Sequence, residues 1–265
     1  MQNKISVHDI LHRKNSEKIT CLTAYTFPVA KIIDNFCDII LVGDSLGMCI
    51  YGHADTVDVT VDMMINHGRA VMKAAKKSLV VVDIPCGSFE KSAEQAYETA
   101  QKIIDETGCD AVKIETSRES IAAIKMMVEN DIAVMAHVGL LPQQVRQLGG
   151  YKYQGRDEKS ADEIIEIAQL ATAAGAFACV IEAVPARLAD RITQAIKIPT
   201  IGIGASANCD GQVLVIDDLI GLNQEFKPRF VKNYTTIASD IKQAVQGFVE
   251  DVKNKKFPAA ENLVE

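Results

Sequence analysis

Five polar side chains of the kinds used in catalysis stand at or beside the carboxyl ends of five short apolar runs. The runs are DIILVGD, LVVVDI, DAVKIE, IAVMAH and AFACVIE, and their polar residues are Asp44, Asp83, Glu115, His137 and Glu182. Strands that lie parallel around one axis bring their carboxyl ends to a single mouth, where barrel enzymes carry out their chemistry. The pattern therefore predicts one site built from all five residues.

The acidic members of this set predict a cation site. Side chains alternate between the two faces of a strand, so Lys113 and Glu115 are expected to point together toward the barrel axis. Asp44, Asp83 and Glu115 would then bring three carboxylates together, and like charges in a confined site cannot all stay ionised without a cation. Oxygen-only ligands suit Mg2+ better than zinc, which prefers histidine and cysteine.

Each of these residues also has a simpler structural interpretation. Asp44, which is followed by Ser45, can cap a short helix, and His137 can be a hydrogen-bonded core histidine. Glu182 can form an ion pair with Arg187. Independent caps and ion pairs do not require five such residues at the same end of five strands, so the coincidence favours the functional interpretation.

The elements that must position these residues alternate along the chain. Short apolar runs bounded by polar residues, glycine or proline predict eight strands. The predicted strands are 19–24, 38–44, 79–84, 110–115, 132–137, 176–182, 199–203 and 213–217. Helical periodicity lies between them, most clearly in SAEQAYETAQKIIDETG, where Ser92 with Gln95 predicts the start and Gly108 the end.

Other helix ends and two long loops follow from the same signals. Further helix starts are predicted at Thr116 and at Ser160, each with a glutamate three residues later, and Gly175 is predicted to end the second of these helices. The irregular stretches 47–60 and 140–158 follow the second and fifth strands, and the latter is too long for an ordinary connector. Both are expected to overhang the mouth, and 140–158 is interpreted as a functional loop.

The order of these elements predicts the fold class. Strands rich in valine, isoleucine and leucine, separated by helices, indicate an α/β protein with a parallel sheet covered by helices. Eight such units in 265 residues favour a closed (β/α)8 TIM barrel, with an open doubly wound sheet as the alternative. No composition break marks a linker, so we predict one domain over residues 1–265 with a short N-terminal helical extension.

Composition limits the partners. The formal net charge is −7 and the isoelectric point is near 5.3, whereas binding to nucleic acids or anionic membranes requires a cationic surface. The N-terminal residues are polar, no run approaches the roughly 20 apolar residues of a membrane span, and the seven cysteines are scattered without a C-x-x-C pair. We expect a cytoplasmic protein that acts on small molecules, with no nucleic-acid or membrane partner.

Two other features carry weaker signals. The sequence IGIGAS at 201–206 lacks the third glycine and the later acidic residue of a dinucleotide-binding motif, so we interpret it as a tight barrel turn with backbone N–H groups that can face an anion. His67 lies on a predicted helix and is interpreted as a residue at the surface or behind the site.

Long motifs in a fixed order resemble one known family. They include TAYTFPVAKIID, ILVGDSLGMCIYGH, VTVDMM, VKIE, AHVGLLPQ, GGYKYQGR, VIEAVPARLADRIT, IPTIGIGA, DGQVLVIDDLIG and KPRFVKNY. The chain resembles the ketopantoate hydroxymethyltransferase (3-methyl-2-oxobutanoate hydroxymethyltransferase) family from about Ile5 to Pro258, which is nearly its whole length.

The resemblance implies an activity, a metal and an assembly. It implies transfer of a hydroxymethyl group from 5,10-methylenetetrahydrofolate to 3-methyl-2-oxobutanoate through a metal-stabilised enolate, giving 2-dehydropantoate and tetrahydrofolate for pantothenate biosynthesis. It also implies a (β/α)8 barrel, one Mg2+ per subunit and a homo-oligomer, expected to be a homodecamer. Two other interpretations stay open: a metal-dependent lyase or mutase acting on another 2-oxo acid, and a binding protein that keeps the barrel without catalysis.

The resemblance also assigns roles to individual positions. Asp44 in VGDS and Asp83 in VVDIP resemble aspartates that bind both the metal and the oxo acid, and Glu115 in VKIE resembles the third acidic metal residue. Ser45 and Lys113 match positions that hold the carboxylate and oxo group of the 2-oxo acid.

The remaining assignments concern the proton acceptor, a substrate-binding histidine and the positions that depart from the family pattern. Glu182 in VIEAVP matches the catalytic proton acceptor, and His137 in AHVG matches a substrate-binding histidine of the site. The chain departs from the family pattern at Thr116 and Ser117, where two glycines are usual, and at Cys86, where phenylalanine is common. These departures are expected to affect the loops around the metal or substrate without removing a named group.

Overall fold

The fold is described here from a computed structural model that covers residues 4–223 and 228–263. The chain divides into two compact units, Met1–Val215 and Ile216–Glu265. Among the described residues, the first unit contains all eight strands, and the second contains two α-helices and a short 3₁₀ helix. The single domain over residues 1–265 stays a prediction, and the two units are described in turn.

Eight parallel strands of the first unit form a closed barrel in chain order. The barrel closes where the first strand pairs with the eighth, with Ile19 opposite Gly211 and Cys21 opposite Val213. This closure confirms the (β/α)8 barrel, and the open doubly wound sheet is wrong for this chain. The strands are β1 Ile19–Thr23, β2 Ile39–Val42, β3 Leu79–Asp83, β4 Ala111–Glu115, β5 Val134–Gly139, β6 Ala178–Glu182, β7 Thr200–Ile203 and β8 Gly211–Leu214.

All eight predicted strands are confirmed, with small shifts at their ends. The largest shift is at β8, which begins and ends earlier than the predicted 213–217 because Gly211 and Gln212 already pair with β1 and a helix begins at Ile216. The helices of the first unit are α1 Val7–Leu11, α2 Phe27–Ile33, α3 Leu46–Cys49, α4 Val61–Ala74, α5 Ala93–Thr107, α6 Ile121–Glu129, α7 Val145–Leu148, α8 Glu158–Ala173 and α9 Ala186–Ala195.

Helix ends follow the sequence signals at some positions and not at others. At α5 the predicted ends are confirmed, because the Ser92 side chain accepts a hydrogen bond from the backbone N–H of Gln95 and Gly108 ends the helix in the left-handed conformation with φ 72°. The short helical extension at the N-terminus is also confirmed, and it is α1.

Two predicted helix starts are wrong. The α6 helix is preceded by Ser120 rather than Thr116, whose hydroxyl instead donates to the Ile114 carbonyl. The α8 helix is capped by Asp157, whose carboxylate accepts from the backbone N–H of Ser160, so the helix begins one turn before the predicted start.

The barrel interior has an apolar lower part and a polar top. Alternate residues of the strands, such as Ile39, Leu41 and Val81, form a buried apolar cluster together with Ile10 of α1. The next inward position on β3 is Asp83, and the corresponding polar residues end the neighbouring strands at the mouth. The apolar layers therefore support the polar residues from below.

The opposite end of the barrel is held by a polar network around Asp210, which precedes β8. Its carboxylate accepts hydrogen bonds from the Lys14 side chain at 2.9 Å, from the backbone N–H of Asn15 at 2.9 Å and from that of Thr200 at 2.8 Å. Burial alone would raise the pKa of Asp210, but these donors hold it below its usual value. The network joins the N-terminal segment to the seam between β7 and β8.

The second unit contains α10 Ile216–Leu219 and α11 Ile237–Lys253. Exposed apolar residues recur at three- and four-residue spacing along α11, which places them on one side of the helix. These residues are Ile241, Val245, Phe248 and Val252. In the part of the chain that is described, no helix is both long and apolar enough to cross a bilayer, and the seven cysteines form no disulfide bond.

Candidate active site

The register of neighbouring strands places the predicted residues side by side. Asp83 of β3 lies opposite Lys113 of β4, Glu115 of β4 lies opposite His137 of β5, and Glu182 of β6 lies opposite the end of β5. Residues two apart on a strand share a face, so the register places these side chains together at the mouth of the barrel. They are those of Asp83, Lys113, Glu115, His137 and Glu182. Their convergence follows from the closed parallel sheet.

A row of charged and polar groups crosses this mouth. Lys113 Nζ lies 2.9 Å from Asp83 Oδ1 and 3.5 Å from His137 Nδ1. The other ring nitrogen of His137, Nε2, lies 3.2 Å from Glu182 Oε2. The side chains of Asp83 and His137 are each 3% exposed, whereas that of Glu182 is 17% exposed. Glu182 is thus the acidic group of the row that solvent and a ligand can reach.

Asp44 and Glu115 join this row through Gln143, a residue that the sequence interpretation missed. The backbone N–H of Asp44 donates to Asp83 Oδ2 at 3.0 Å. The side-chain Nε2 of Gln143 donates to Asp44 Oδ2 at 2.8 Å, and the backbone N–H of Gln143 donates to Glu115 Oε1 at 2.9 Å. The three predicted acidic residues are therefore brought together. Gln143 lies in the loop 140–158, whose unusual length was the only sequence signal for it.

Burial and mutual repulsion shift the protonation of these groups. Burial, followed by the charge of Asp83, raises the pKa of Asp44 to about 7, and burial with the charge of Asp44 raises the pKa of Glu115 well above its usual value. Burial opposes the charge of Lys113, but Asp83 and Asp44 outweigh it and raise the pKa of the lysine. Burial and the nearby Lys113 lower the pKa of His137.

The donor atoms at the mouth are of the kind that suits a hard divalent cation, although the described side chains are not spaced as a metal site. Three buried carboxylates face Lys113, which is the only lysine or arginine buried within the described ranges 4–223 and 228–263. The Oε2 atom of Glu115 is buried and has no hydrogen-bond partner among those residues. As the side chains are placed, no three histidine, cysteine, aspartate or glutamate residues of these ranges are close enough together to hold a metal ion. Oxygen ligands of this kind are those that Mg2+ prefers.

Ser45 lies at the start of α3 and is held by Tyr25, a second residue that the sequence interpretation missed. The two hydroxyl groups, Tyr25 Oη and Ser45 Oγ, are 2.8 Å apart. His67, on α4 as predicted, places its Nδ1 2.5 Å from the Tyr25 carbonyl oxygen and its Nε2 3.1 Å from Tyr51 Oη. His67 therefore supports the segment after β1 rather than lying among the five residues at the mouth.

The two long loops are tied together above the barrel. The guanidinium of Arg146 on α7 makes two bonds to the carboxylate of Asp55, with Nε to Oδ2 at 2.8 Å and Nη2 to Oδ1 at 3.0 Å, and it also contacts Asp58. The Tyr151 hydroxyl donates to Met48 Sδ at 3.5 Å. The loops 47–60 and 140–158 thus contact each other.

The departures from the family pattern lie close to the site. The Thr116 hydroxyl donates to the Ile114 carbonyl at 3.0 Å and accepts from the backbone N–H of His137 at 3.1 Å, so it links β4 to β5 just behind the histidine. Ser117 bonds to Glu119 and lies further out. Cys86 is half-buried beside the Gln143 carbonyl, and burial raises the pKa of its thiol to about 11. None of these residues displaces a predicted site residue.

The fold is shared with several solved structures of low sequence identity. Phosphonopyruvate hydrolase aligns with a TM-score of 0.65 at 12% identity, covering 100% of this chain and 92% of that one. A 2,3-dimethylmalate lyase, described as a member of the PEP mutase/isocitrate lyase superfamily, aligns with a TM-score of 0.60 at 14% identity, covering 96% and 85%. At these identities the likeness concerns the barrel fold alone.

Sequence comparison is more specific. The profile of the family described as ketopantoate hydroxymethyltransferase matches residues 4–260. A 3-methyl-2-oxobutanoate hydroxymethyltransferase of Cereibacter sphaeroides is 50% identical over 255 residues, covering 96% of this chain and 92% of the relative. One of Rhizobium etli is 49% identical over 261 residues, covering 98% and 96%. The chain therefore belongs to the ketopantoate hydroxymethyltransferase family and is a transferase.

Proposed function

We propose that this chain transfers a hydroxymethyl group from 5,10-methylenetetrahydrofolate to C3 of 3-methyl-2-oxobutanoate, giving 2-dehydropantoate and tetrahydrofolate in pantothenate biosynthesis. Family membership supports this substrate. The observation that carries the chemistry is the contrast at the mouth: Asp44, Asp83, Lys113 and Glu115 are buried, whereas Glu182 beside them is accessible. A buried charged cluster suits the anchoring of a small anion, and the accessible carboxylate suits proton removal.

The buried cluster would hold the oxo acid and a divalent cation. Asp44, Asp83 and Glu115 would hold one Mg2+ per subunit, which when bound supplies a Lewis acid for the oxygens of the oxo acid. Lys113, whose charge the neighbouring carboxylates stabilise, would attract the carboxylate or oxo oxygen of the substrate. Ser45, fixed by Tyr25, offers a hydroxyl donor to the same anion.

Glu182 would act as the base. It accepts the proton from C3 of the oxo acid, and its Oε2 atom lies 3.2 Å from His137 Nε2. The carbon nucleophile then bonds to the methylene carbon of the folate, whose two carbon–nitrogen bonds break. The C3 proton and one water molecule supply the three hydrogens of the new hydroxyl and the two N–H bonds of tetrahydrofolate. The water also supplies the hydroxyl oxygen.

Assembly and location belong to the same proposal. A homo-oligomer, expected to be a decamer, agrees with the exposed apolar side chains of α11. Small-molecule substrates and a cytoplasmic location agree with a net charge of −7. The solved structures named as a lyase or a mutase share the fold alone with this chain, so they lend no support to such a reaction here.

Proton exchange at C3 tests substrate, metal and base together. The protein is mixed with 3-methyl-2-oxobutanoate in heavy water, with and without Mg2+, and loss of the C3 proton signal is followed by NMR. We expect exchange that depends on Mg2+ and, after 5,10-methylenetetrahydrofolate is added, formation of 2-dehydropantoate. Exchange that is equally fast without any divalent cation would contradict the cation, and turnover without the folate would contradict the donor.

A further inference from the structure

Gln143 contacts the ends of three consecutive strands. Its Nε2 donates to Asp44 Oδ2 at 2.8 Å, after β2, and to the Ile84 carbonyl at 3.0 Å, after β3. Its backbone N–H donates to Glu115 Oε1 at 2.9 Å, at the end of β4. The residue is only 6% exposed. One side chain and its own backbone therefore fix two acidic groups that come from different strands.

The segment that carries Gln143 is itself anchored on both sides. Before it, the backbone N–H of Leu140 donates to the Glu182 carbonyl at 2.8 Å. After it, Arg146 holds Asp55 of the loop 47–60. Gln143 begins neither a helix nor a strand and lies within the short 3₁₀ turn Pro142–Gln144. Its position is thus set by contacts with the barrel rather than by a long element.

Asp44 and Glu115 each use only one carboxylate oxygen to bond to Gln143. Gln143 engages Asp44 Oδ2 and Glu115 Oε1, while Glu115 Oε2 has no hydrogen-bond partner in the described part of the chain. A carboxylate with one oxygen fixed by an amide donor keeps the direction of its other oxygen. Residues that orient ligands in this way commonly change metal affinity or activity when they are replaced.

We propose that Gln143 is a positioning residue that sets the carboxylates of Asp44 and Glu115 for a divalent cation and, through it, for the 2-oxo acid. The inference rests on the proposed function and adds to it a residue from outside the predicted acidic set. The amide supplies the same donor whatever the protonation of its neighbours, because an amide does not titrate in the working range of pH. The backbone N–H of residue 143 holds Glu115 whatever its side chain.

Three variants separate the amide from the packing of the side chain. Gln143→Met keeps the length of the side chain and removes the donor, whereas Gln143→Ala removes both. Gln147→Met makes the same chemical change at an exposed position of the same segment, on α7, and is the matched control. All three keep the backbone donor to Glu115.

Cation binding is the first readout. Mn2+ is titrated into each protein without substrate, and the free ion is measured by electron paramagnetic resonance. We expect Gln143→Met to raise the dissociation constant about 10-fold or more, and Gln147→Met to match the wild type. Wild-type affinity in Gln143→Met with weaker binding only in Gln143→Ala would mean that the residue serves packing, and the proposal would be wrong.

Backbone amide exchange is the second readout and needs no cation. Peptides spanning 43–49 and 142–150 are followed by mass spectrometry in the cation-free proteins. We expect faster exchange of both peptides in Gln143→Met and no change in Gln147→Met, because Asp44 loses its tie to the 3₁₀ turn. Unchanged exchange of 43–49 would overturn the inference. A wild type that binds no Mn2+ would instead contradict the proposed function, and the amide exchange would still decide the position of Asp44.

The kinetics of C3 proton exchange give a third readout. Gln143 contacts Asp44 and Glu115 but not Glu182, so Gln143→Met should raise the KM for the oxo acid about 10-fold and leave kcat within about threefold of the wild type. A fall in kcat at unchanged KM would assign Gln143 to the proton transfer and contradict a positioning role.

Discussion

At the mouth, residues of the same chemical type differ in their exposure to solvent. Asp83 and Glu182 are both carboxylates at strand ends, yet the first is 3% exposed and paired with Lys113, and the second is 17% exposed and paired with His137. The environment of an acid decides its role, because a buried ion pair stabilises an anion while an accessible carboxylate is free to exchange protons. The two residues should therefore respond differently to substitution.

Replacing Glu182 tests the base. Glu182→Gln keeps the size of the side chain and removes the proton acceptor, so C3 proton exchange should fall about 100-fold or more. Binding of the oxo acid with Mg2+, measured by calorimetry, should change by less than about threefold because the buried cluster is intact. The same substitution at exposed Glu98 on α5 is the control and should alter neither quantity.

Replacing Asp83 tests the cluster. Asp83→Ala leaves Lys113 without its ion pair and the backbone N–H of Asp44 without its acceptor. Oxo-acid binding with Mg2+ should therefore weaken about 10- to 100-fold, and calorimetry measures it directly. Binding that stays intact while exchange at C3 is lost would be the pattern assigned above to Glu182, and would exchange the two roles.

Side-chain direction repeats every two residues along a strand, and this repeat explains which site residues can be predicted from the sequence. Asp83, Lys113, Glu115 and Glu182 follow from alternation along apolar runs, because register alone carries them to one mouth. Gln143 reaches the site from a turn that belongs to no strand or long helix, and no periodicity describes such a path. The unusual length of its loop predicts a function, but not which residue performs it.

At the level of elements, β5 and β6 are in close contact at Gly139. Its φ is +96°, and a Cβ atom there would lie 2.3 Å from the Glu182 carbonyl oxygen. Gly139→Ala should therefore lower the free energy of unfolding by about 3 kcal/mol or more and displace Glu182. Gly87 has a similar φ of +81°, and no atom lies within 4 Å of a Cβ atom placed there. Gly87→Ala should therefore lower the free energy of unfolding by only about 1 kcal/mol.

Chemical denaturation compares the two glycine variants. If both lower the free energy of unfolding equally, backbone strain explains the effect and the close approach to Glu182 contributes nothing. A larger loss in Gly139→Ala assigns the difference to contact between the strands.

Asp34 ties the end of α2 to the turn before β3. Its carboxylate accepts from the backbone N–H groups of Lys76 at 2.9 Å, Lys77 at 3.1 Å and Ser78 at 2.9 Å. Burial alone would raise its pKa, but these donors hold the pKa below the ordinary value of 3.8. A lowered pKa means that the stabilisation is complete above the ordinary value and is lost as the pH falls through the lower folded value.

Asp34→Asn replaces one carboxylate oxygen with an NH2 group, which would then face backbone N–H donors instead of accepting from them. At neutral pH it should lower the free energy of unfolding by about 1–3 kcal/mol. The difference from the wild type should shrink as the pH falls below about 4, because the wild-type carboxylate then also becomes protonated. Urea denaturation at several pH values measures this, and a difference that stays constant with pH would contradict the assignment.

Helix boundaries are less predictable than strands for a physical reason. A Ser or Thr hydroxyl can bond to several backbone groups, and Thr116 bonds to Ile114 and His137 of the sheet instead of capping α6. At α8 the stronger acceptor Asp157 lies one turn earlier and replaces Ser160. Local spacing therefore identifies a helix without deciding which of several polar residues begins it.

For the whole molecule, the apolar side of α11 tests the proposed homo-oligomer. Val245 and Phe248 are 54% and 56% exposed, and a second copy of this chain would cover them. Val245→Asp with Phe248→Asp should lower the mass in light scattering and leave the circular dichroism spectrum unchanged. Gln243→Asp, on the opposite side of α11, should keep the wild-type mass. An unchanged mass in the double variant would place the contact between copies elsewhere.

The network around Asp210 joins residues that are translated early to residues that are translated late. Asn15 and Asp210 are 195 positions apart, and the pairing of β1 with β8 spans a similar distance. A ribosome must therefore release almost the whole barrel before the first strand meets its last neighbour. Until then two sheet edges stay exposed, and contacts this distant in sequence form slowly. The nascent chain is thus most prone to aggregation, and most accessible to chaperones, just before β1 pairs with β8.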